Sequence, residues 1–140
     1  MSTERPGVLG RLTAAHVVAI GWLLCAAAFA ERVPVLFSGH RHLLCHASSH
    51  LDRLTLTALG LVLAAAVAAL AGAVVMQGKG QGVAAVPVVC LVVVVALLIA
   101  ADGVDAHGEA LARQLSATPF TAGACDYVPQ DYVATPGWFW

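Results

Sequence analysis

Residues 54–76 read LTLTALGLVLAAAVAALAGAVVM, twenty-three residues without a single Asp, Glu, Lys or Arg. In hydrocarbon there is no water to bind peptide groups, so so apolar a segment can cross only with its N–H and C=O groups paired internally, as a helix does. A helix rises about 1.5 Å per residue and a bilayer's hydrocarbon core is about 30 Å thick, so roughly 20 residues suffice. Working outward from 54–76, residues 12–30 and 83–101 are two further runs of nineteen residues, also free of the four charged types. Charges bracket all three runs: Arg11 before the first, Glu31 and Arg32 after it, Asp52 and Arg53 before the second, and Asp102 after the third. These are the depths at which headgroups lie. The expected architecture is an all-α membrane protein with three transmembrane helices at 12–30, 54–76 and 83–101, a His-rich loop at 31–53 and a tail at 102–140.

The composition agrees with that reading. Of 140 residues, 60% are apolar and 11% charged, and the mean hydropathy is +0.85, well away from the balance of a soluble domain. Residues 1–140 form a single membrane domain, because too little chain remains outside the three runs to build a second core. The formal net charge is −1 and the seven basic residues are scattered, which leaves no stripe to neutralise phosphates and argues against nucleic-acid binding.

Between the second and third runs, Gln77-Gly78-Lys79-Gly80-Gln81-Gly82 supplies glycines for a tight reversal, so these two helices are read as an antiparallel hairpin. Gly60, Ala64, Ala68 and Gly72 recur at a spacing of four and are read as a helix-packing seam. Pro87 falls in the first turn of the third helix, where its missing N–H costs little. The first run has a rival reading: Arg5, Arg11 and Ala28-Phe29-Ala30 before Glu31 have the layout of a cleavable signal peptide. Its apolar run is longer than most signal cores, and Leu24 before Cys25 is no lipoprotein signature, so a retained span is preferred.

With an odd number of crossings, loop 31–53 and the tail share one side of the membrane. Cys45 and Cys125 therefore face one compartment and are the candidate disulfide if that compartment is oxidising. Positive charge divides three to four between the two sides and does not fix orientation. The preferred placement is a bacterial inner or plasma membrane with the N-terminus cytoplasmic and the loop and tail outside. Cys25 and Cys90 lie inside helices and read as small hydrophobes.

The concentrated chemical signal is Gly39-His40-Arg41-His42-Leu43-Leu44-Cys45-His46-Ala47-Ser48-Ser49-His50. If this stretch is helical and feeds the second span, His42, His46 and His50 stack on one face with Cys45 at the edge, a donor set suited to copper or zinc. Against the metal stand the absence of an established ligand spacing and the competing disulfide at Cys45. The bland alternative is a polar docking face. His16 lies four residues inside the first span and raises haem ligation, but no second histidine lies at its depth and His50 enters from the opposite membrane face, so it reads as an interfacial or packing residue.

The tail opens with a short helix over 104–115, in which Asp105 and Glu109 read as a solvated face. Residues 119–140, with Pro119, Pro129 and Pro136, are extended. Tyr127, Tyr132, Trp138, Phe139 and Trp140 crowd the end of the chain and read as anchors for a partner groove, with the lipid interface as the alternative. The sequence holds no Gly-rich phosphate loop, no Ser/His/Asp arrangement and no Cys-x-x-Cys pair, so no enzyme is expected. The leading expectation is a non-catalytic accessory subunit of a larger membrane complex, respiratory or photosynthetic, whose partners are other integral membrane subunits and the bilayer. The alternatives are a copper- or zinc-binding membrane protein and a haem-binding electron carrier.

Overall fold

The computed structural model describes residues 8–33, 39–78, 85–117, 121, 123–126, 128–135 and 137–139. Three helices, α1 (Val8–Glu31), α2 (Ser49–Gly78) and α3 (Ala85–Ser116), are long and apolar enough to cross a membrane. Two short strands complete the fold, β1 (Arg41–Leu44) and β2 (Gln130–Val133). The Gly-rich connection at 79–84, read from sequence as the hairpin turn, lies outside the described residues. The hairpin itself is plain from what touches across it: Gly72 lies against Cys90, and Gly108 against Leu54. These contacts are eighteen residues apart on α2 (72 − 54) and eighteen apart on α3 (108 − 90), so the two helices run antiparallel and in step for about 27 Å.

All three helices exceed their apolar runs, α1 by beginning at Val8 and ending at Glu31. α2 begins five residues before residue 54, with Ser48 at its cap position: the Ser48 carbonyl accepts from Leu51 and Asp52, and Asp52 sits in the first turn, where the helix dipole favours an acid. α3 does not stop at Asp102. The short helix expected over 104–115 is its direct continuation, because Ala101-Asp102-Gly103 contains no proline, Ala, Leu and Glu propagate the helix, and Glu109 pairs with Arg113 one turn on. At about 48 Å for 32 residues, α3 is longer than a hydrocarbon core is thick, and its polar last third projects beyond the bilayer.

The membrane core is built from Cys25 and Ala28 of α1, Val62, Ala65 and Ala69 of α2, and Val94, Leu98 and Ala101 of α3. Within the apolar run of α2 the buried positions are 58, 62, 65, 69 and 72, alternating steps of four and three, the repeat of helices that wind around each other in a left-handed sense. This intrachain stripe differs from the row at Gly60, Ala64, Ala68 and Gly72, of which it shares only Gly72. Four residues turn a helix by 400°, so a row spaced strictly by four drifts about 40° per step and cannot stay on one partner. Gly72 is buried, Ala68 is half-buried, and Ala64 and Gly60 are exposed; a Cβ added at Gly60 would meet nothing within 4 Å.

A second apolar cluster, Leu44, Leu51 and Ala112 with Leu54, Leu111 and Tyr132 around it, forms a small head at one end of the bundle. Its strands pair antiparallel, Arg41 opposite Val133, His42 opposite Tyr132, Leu43 opposite Asp131 and Leu44 opposite Gln130. The helical His loop weighed from sequence is therefore a strand over residues 41–44. The three-residue Gly-His-Arg lead and the alternation of Leu43 out and Leu44 in suit a ribbon, and the tail supplies its partner. Gly39 is the enabling residue: a Cβ there would lie 1.8 Å from the Ala134 carbonyl oxygen, while Ala134 donates its N–H to the His40 carbonyl at 2.8 Å.

Two substitutions separate the intrachain stripe from the row spaced by four. Gly72→Leu, whose Cβ would begin 3.1 Å from that of Cys90, should destabilise the protein in detergent by about 1–3 kcal/mol. Gly60→Leu should leave the unfolding curve within about 0.5 kcal/mol of the parent; equal losses at the two positions would contradict this packing.

Candidate functional site

The head is where loop and tail meet. Cys45, directly after β1, forms a disulfide with Cys125, eighty residues away in sequence. Hydrogen bonds run alongside it. Asp126 donates its N–H to the Cys45 carbonyl at 2.9 Å, and its carboxylate accepts from the Ala47 N–H at 3.0 Å. The same carboxylate lies 3.2 Å from His46 Nδ1, and His46 Nε2 lies 3.7 Å from Cys45 Sγ. The Ala47 N–H, and after it the His46 ring, hold the Asp126 carboxyl below its ordinary value. Gln130 fastens the next step, accepting from Ser48 N–H at 2.7 Å and donating to Asp52 at 2.8 Å.

A second polar group lies where the helices leave the apolar region. Arg32, just past α1, pairs with Asp105 of α3 and also donates to the Ala28 carbonyl at 2.8 Å, closing the C-terminus of α1. Both side chains of this ion pair are about nine-tenths buried, so neither charge is solvated and each depends on the other. Asp102 accepts the backbone N–H groups of Trp138 and Phe139 at 3.1 and 2.9 Å, and Glu31 accepts the Trp138 indole N–H. Glu31, Arg32, Thr55, Leu59, Asp105, Val133, Ala134 and Thr135 enclose a cavity of about 180 Å³. The tail is thus clamped to the bundle by carboxylates from two helices.

The residues singled out from the sequence are dispersed by this geometry. His42 lies in β1, half-buried, with Nδ1 3.5 Å from the Ser116 hydroxyl; His46 turns to Asp126; His50 is exposed in the first turn of α2; and Cys45 is in the disulfide. A strand followed by a bend cannot stack His42, His46 and His50 as a helix would. Among the described residues, no three His, Cys, Asp or Glu side chains gather as a metal ion requires. His16 is exposed on α1.

The aromatic anchors divide. Tyr127 and Trp140 lie outside the described residues. Tyr132 serves this chain's own core: it packs on Leu44 and Leu51, and its hydroxyl fits over Gly108, where a Cβ would approach it to 2.6 Å. Burial, and then the charges of Asp105 and Glu109, push its hydroxyl above the ordinary tyrosine value. Trp138 and Phe139 are both held by their backbones, and Trp138 also by its indole N–H on Glu31, while the Phe139 ring is exposed, level with Asp102 at the end of the apolar run, where aromatic rings favour the bilayer interface.

Asp102, Asp105 and Asp126 are the residues that sequence reasoning passed over. Asp105 was read as solvated on the pattern of its own helix; only the position of Arg32 shows that it faces inward. The signal for Asp102 was its place as the first charge after an apolar run, close to a returning tail. No family model, no curated protein and no solved structure matches the chain.

Two measurements test this description. Asp102→Ala removes the acceptor of two backbone donors and should raise the rate at which chymotrypsin cleaves after Trp138 and Phe139 by tenfold or more, since a lost charged acceptor costs about 1.5–3 kcal/mol. Because folding lowers the Asp126 value, the contact contributes above the ordinary carboxylate value of about 3.9 and is lost as pH falls through the lower folded value. The Ala47 amide proton should therefore shift upfield on acidification below about pH 4, and no such shift should occur in Asp126→Ala.

Proposed function

We propose that this chain is a non-catalytic accessory subunit of a larger membrane protein complex, seated against another chain's transmembrane helix through the outer face of α2. The observation that supports the reading is the pattern left on that face after the chain's own core is satisfied. Leu56, Gly60, Leu63, Val67, Leu70 and Val74 are all exposed, and they too alternate steps of four and three. Two residues turn a helix by about 200°, so this stripe stands opposite the buried one at 58, 62, 65, 69 and 72. Lipid contact alone asks only for apolar side chains. A repeat that matches a helix partner, with a notch at Gly60 and the small Ala64 beside it, suits close approach of a second helix.

The head supports the same reading from outside the bilayer. Its strands, disulfide and carboxylate clamps tie loop and tail together, which fits a part that presents a surface. The disulfide favours an extracytoplasmic head, with the N-terminus on the cytoplasmic side.

Affinity purification of the full chain from its native membrane in mild detergent tests the proposal. Other integral membrane chains should copurify in fixed ratio, and Gly60→Leu should reduce their recovery at least tenfold while the variant itself unfolds normally. Recovery of the chain alone, at the mass of a monomer, would overturn it.

A further inference from the structure

The Cys45–Cys125 disulfide has more around it than a cross-link needs. We propose that it is a thiol–disulfide exchange site for a dithiol of a partner protein, with His46 as proton donor to the departing Cys45 sulfur and Asp126 as the positioning residue for that imidazole. A staple requires two sulfurs at bonding distance and nothing else. Here one sulfur has an imidazole nitrogen, Nε2, at 3.7 Å, and the other imidazole nitrogen faces a carboxylate at 3.2 Å. That carboxylate belongs to the residue next to Cys125 and is itself fixed by the Ala47 N–H. An Nδ1–H donated to Asp126 leaves Nε2 toward sulfur, and the carboxylate stabilises the imidazolium that can give up a proton there.

The site is also reachable. His46 and Asp126 side chains are 66% and 49% exposed and both cysteines are half-buried. A partner thiolate attacks Cys125 Sγ, forming a mixed disulfide as the Cys45–Cys125 bond breaks, and the electron pair leaves on Cys45 Sγ. His46 supplies the proton that makes Cys45 a thiol and is reprotonated from solvent. The partner's second thiolate then attacks the partner sulfur of the mixed disulfide and releases Cys125, which takes a proton from water. The partner dithiol is oxidised to a disulfide by two electrons, and Cys45 and Cys125 are reduced. A leaving sulfur whose thiolate is stabilised departs faster, which is the role of the imidazolium.

Exchange demands that the reduced head keep its shape, and it has the means. The β1–β2 ladder, the Asp126 N–H on the Cys45 carbonyl, and Gln130 bridging Ser48 to Asp52 all hold loop to tail without the sulfur bond. Among the described residues, His46 contacts Asp126 and Cys45; Arg41 pairs with Asp131 across the strands and Asp52 accepts from Gln130.

The test is reduction of the full chain in detergent by dithiothreitol, with rates expressed per dithiothreitol thiolate. Between pH 8 and pH 5 the native protein's rate constant should rise as His46 gains its proton. His46→Ala should be about tenfold slower at pH 6 and flat across the range, and Asp126→Asn, which leaves the imidazole without its positioning carboxylate, should slow the pH 6 rate toward that of His46→Ala. Iodoacetamide should alkylate reduced Cys45 at lower pH in the native protein than in His46→Ala. The alkylation pH profile decides the matter even if a variant's head is loosened. A native rate constant flat in pH, or loss of the reduced head's near-ultraviolet tyrosine signal, would overturn the proposal and leave the disulfide a staple.

Discussion

A peptide group in hydrocarbon finds no partner except another peptide group, and the rest of this structure follows from that constraint. It obliges each apolar run to become a helix. Three helices mean three crossings, and three crossings bring the segment after α1 and the segment after α3 to one side. The head exists because of that coincidence of topology. A four-residue ribbon such as β1–β2 is marginal by itself. It stands here because α2 and α3 extend beyond their apolar runs and give Leu44 and Tyr132 something to pack on.

The sequence is legible where one physical effect dominates. The three helices that can span a membrane could be placed within a few residues because the absence of charge over nineteen or more residues has a single reading. Their ends could not. α3 continues past Asp102 because helix propagation needs only compatible residues and a neighbour, and nothing in Gly103-Val104-Asp105 opposes it. Counting in fours does not find the intrachain stripe on α2, because packing between long helices follows an average step of 3.5; a row spaced by four turns by about 120° between Gly60 and Gly72. The strand at 41–44 was illegible for another reason. Residues Arg41-His42-Leu43-Leu44 have no strong preference, and their conformation is decided by a partner ninety residues away, which local spacing cannot reveal.

The polar residues of the boundary show the same division. Arg32, Glu31, Asp102 and Asp105 flank apolar runs, where charges are ordinarily solvated among headgroups. In the fold they face inward and answer one another: Arg32 with Asp105, Asp102 with two tail amides, Glu31 with the Trp138 indole. Burying a charge is costly unless its partners are fixed, so these contacts specify how the tail seats rather than merely adding stability. A neutral tail on a neutral rim could settle in many registers; a carboxylate that accepts two consecutive N–H groups selects one. Trp138 and Phe139 are thereby held beside Asp102, at the end of the apolar run of α3.

The two functional readings meet on α2. The helix is continuous from Ser49 to Gly78, and the disulfide at Cys45 lies four residues before its first turn. Gly60 lies eleven residues beyond Ser49, about 17 Å along the axis. A helix seated at Leu56 and Gly60 would therefore hold its own extramembrane end beside His46 and Cys45. Tethering of that kind raises the local concentration of a dithiol carried by the same partner without any further contact at the sulfur. The exposed geometry at Cys45 then needs no deep pocket, because the membrane has already oriented the two chains. In that arrangement recognition would come from the helices, and the head would contribute the sulfur, the proton and its direction.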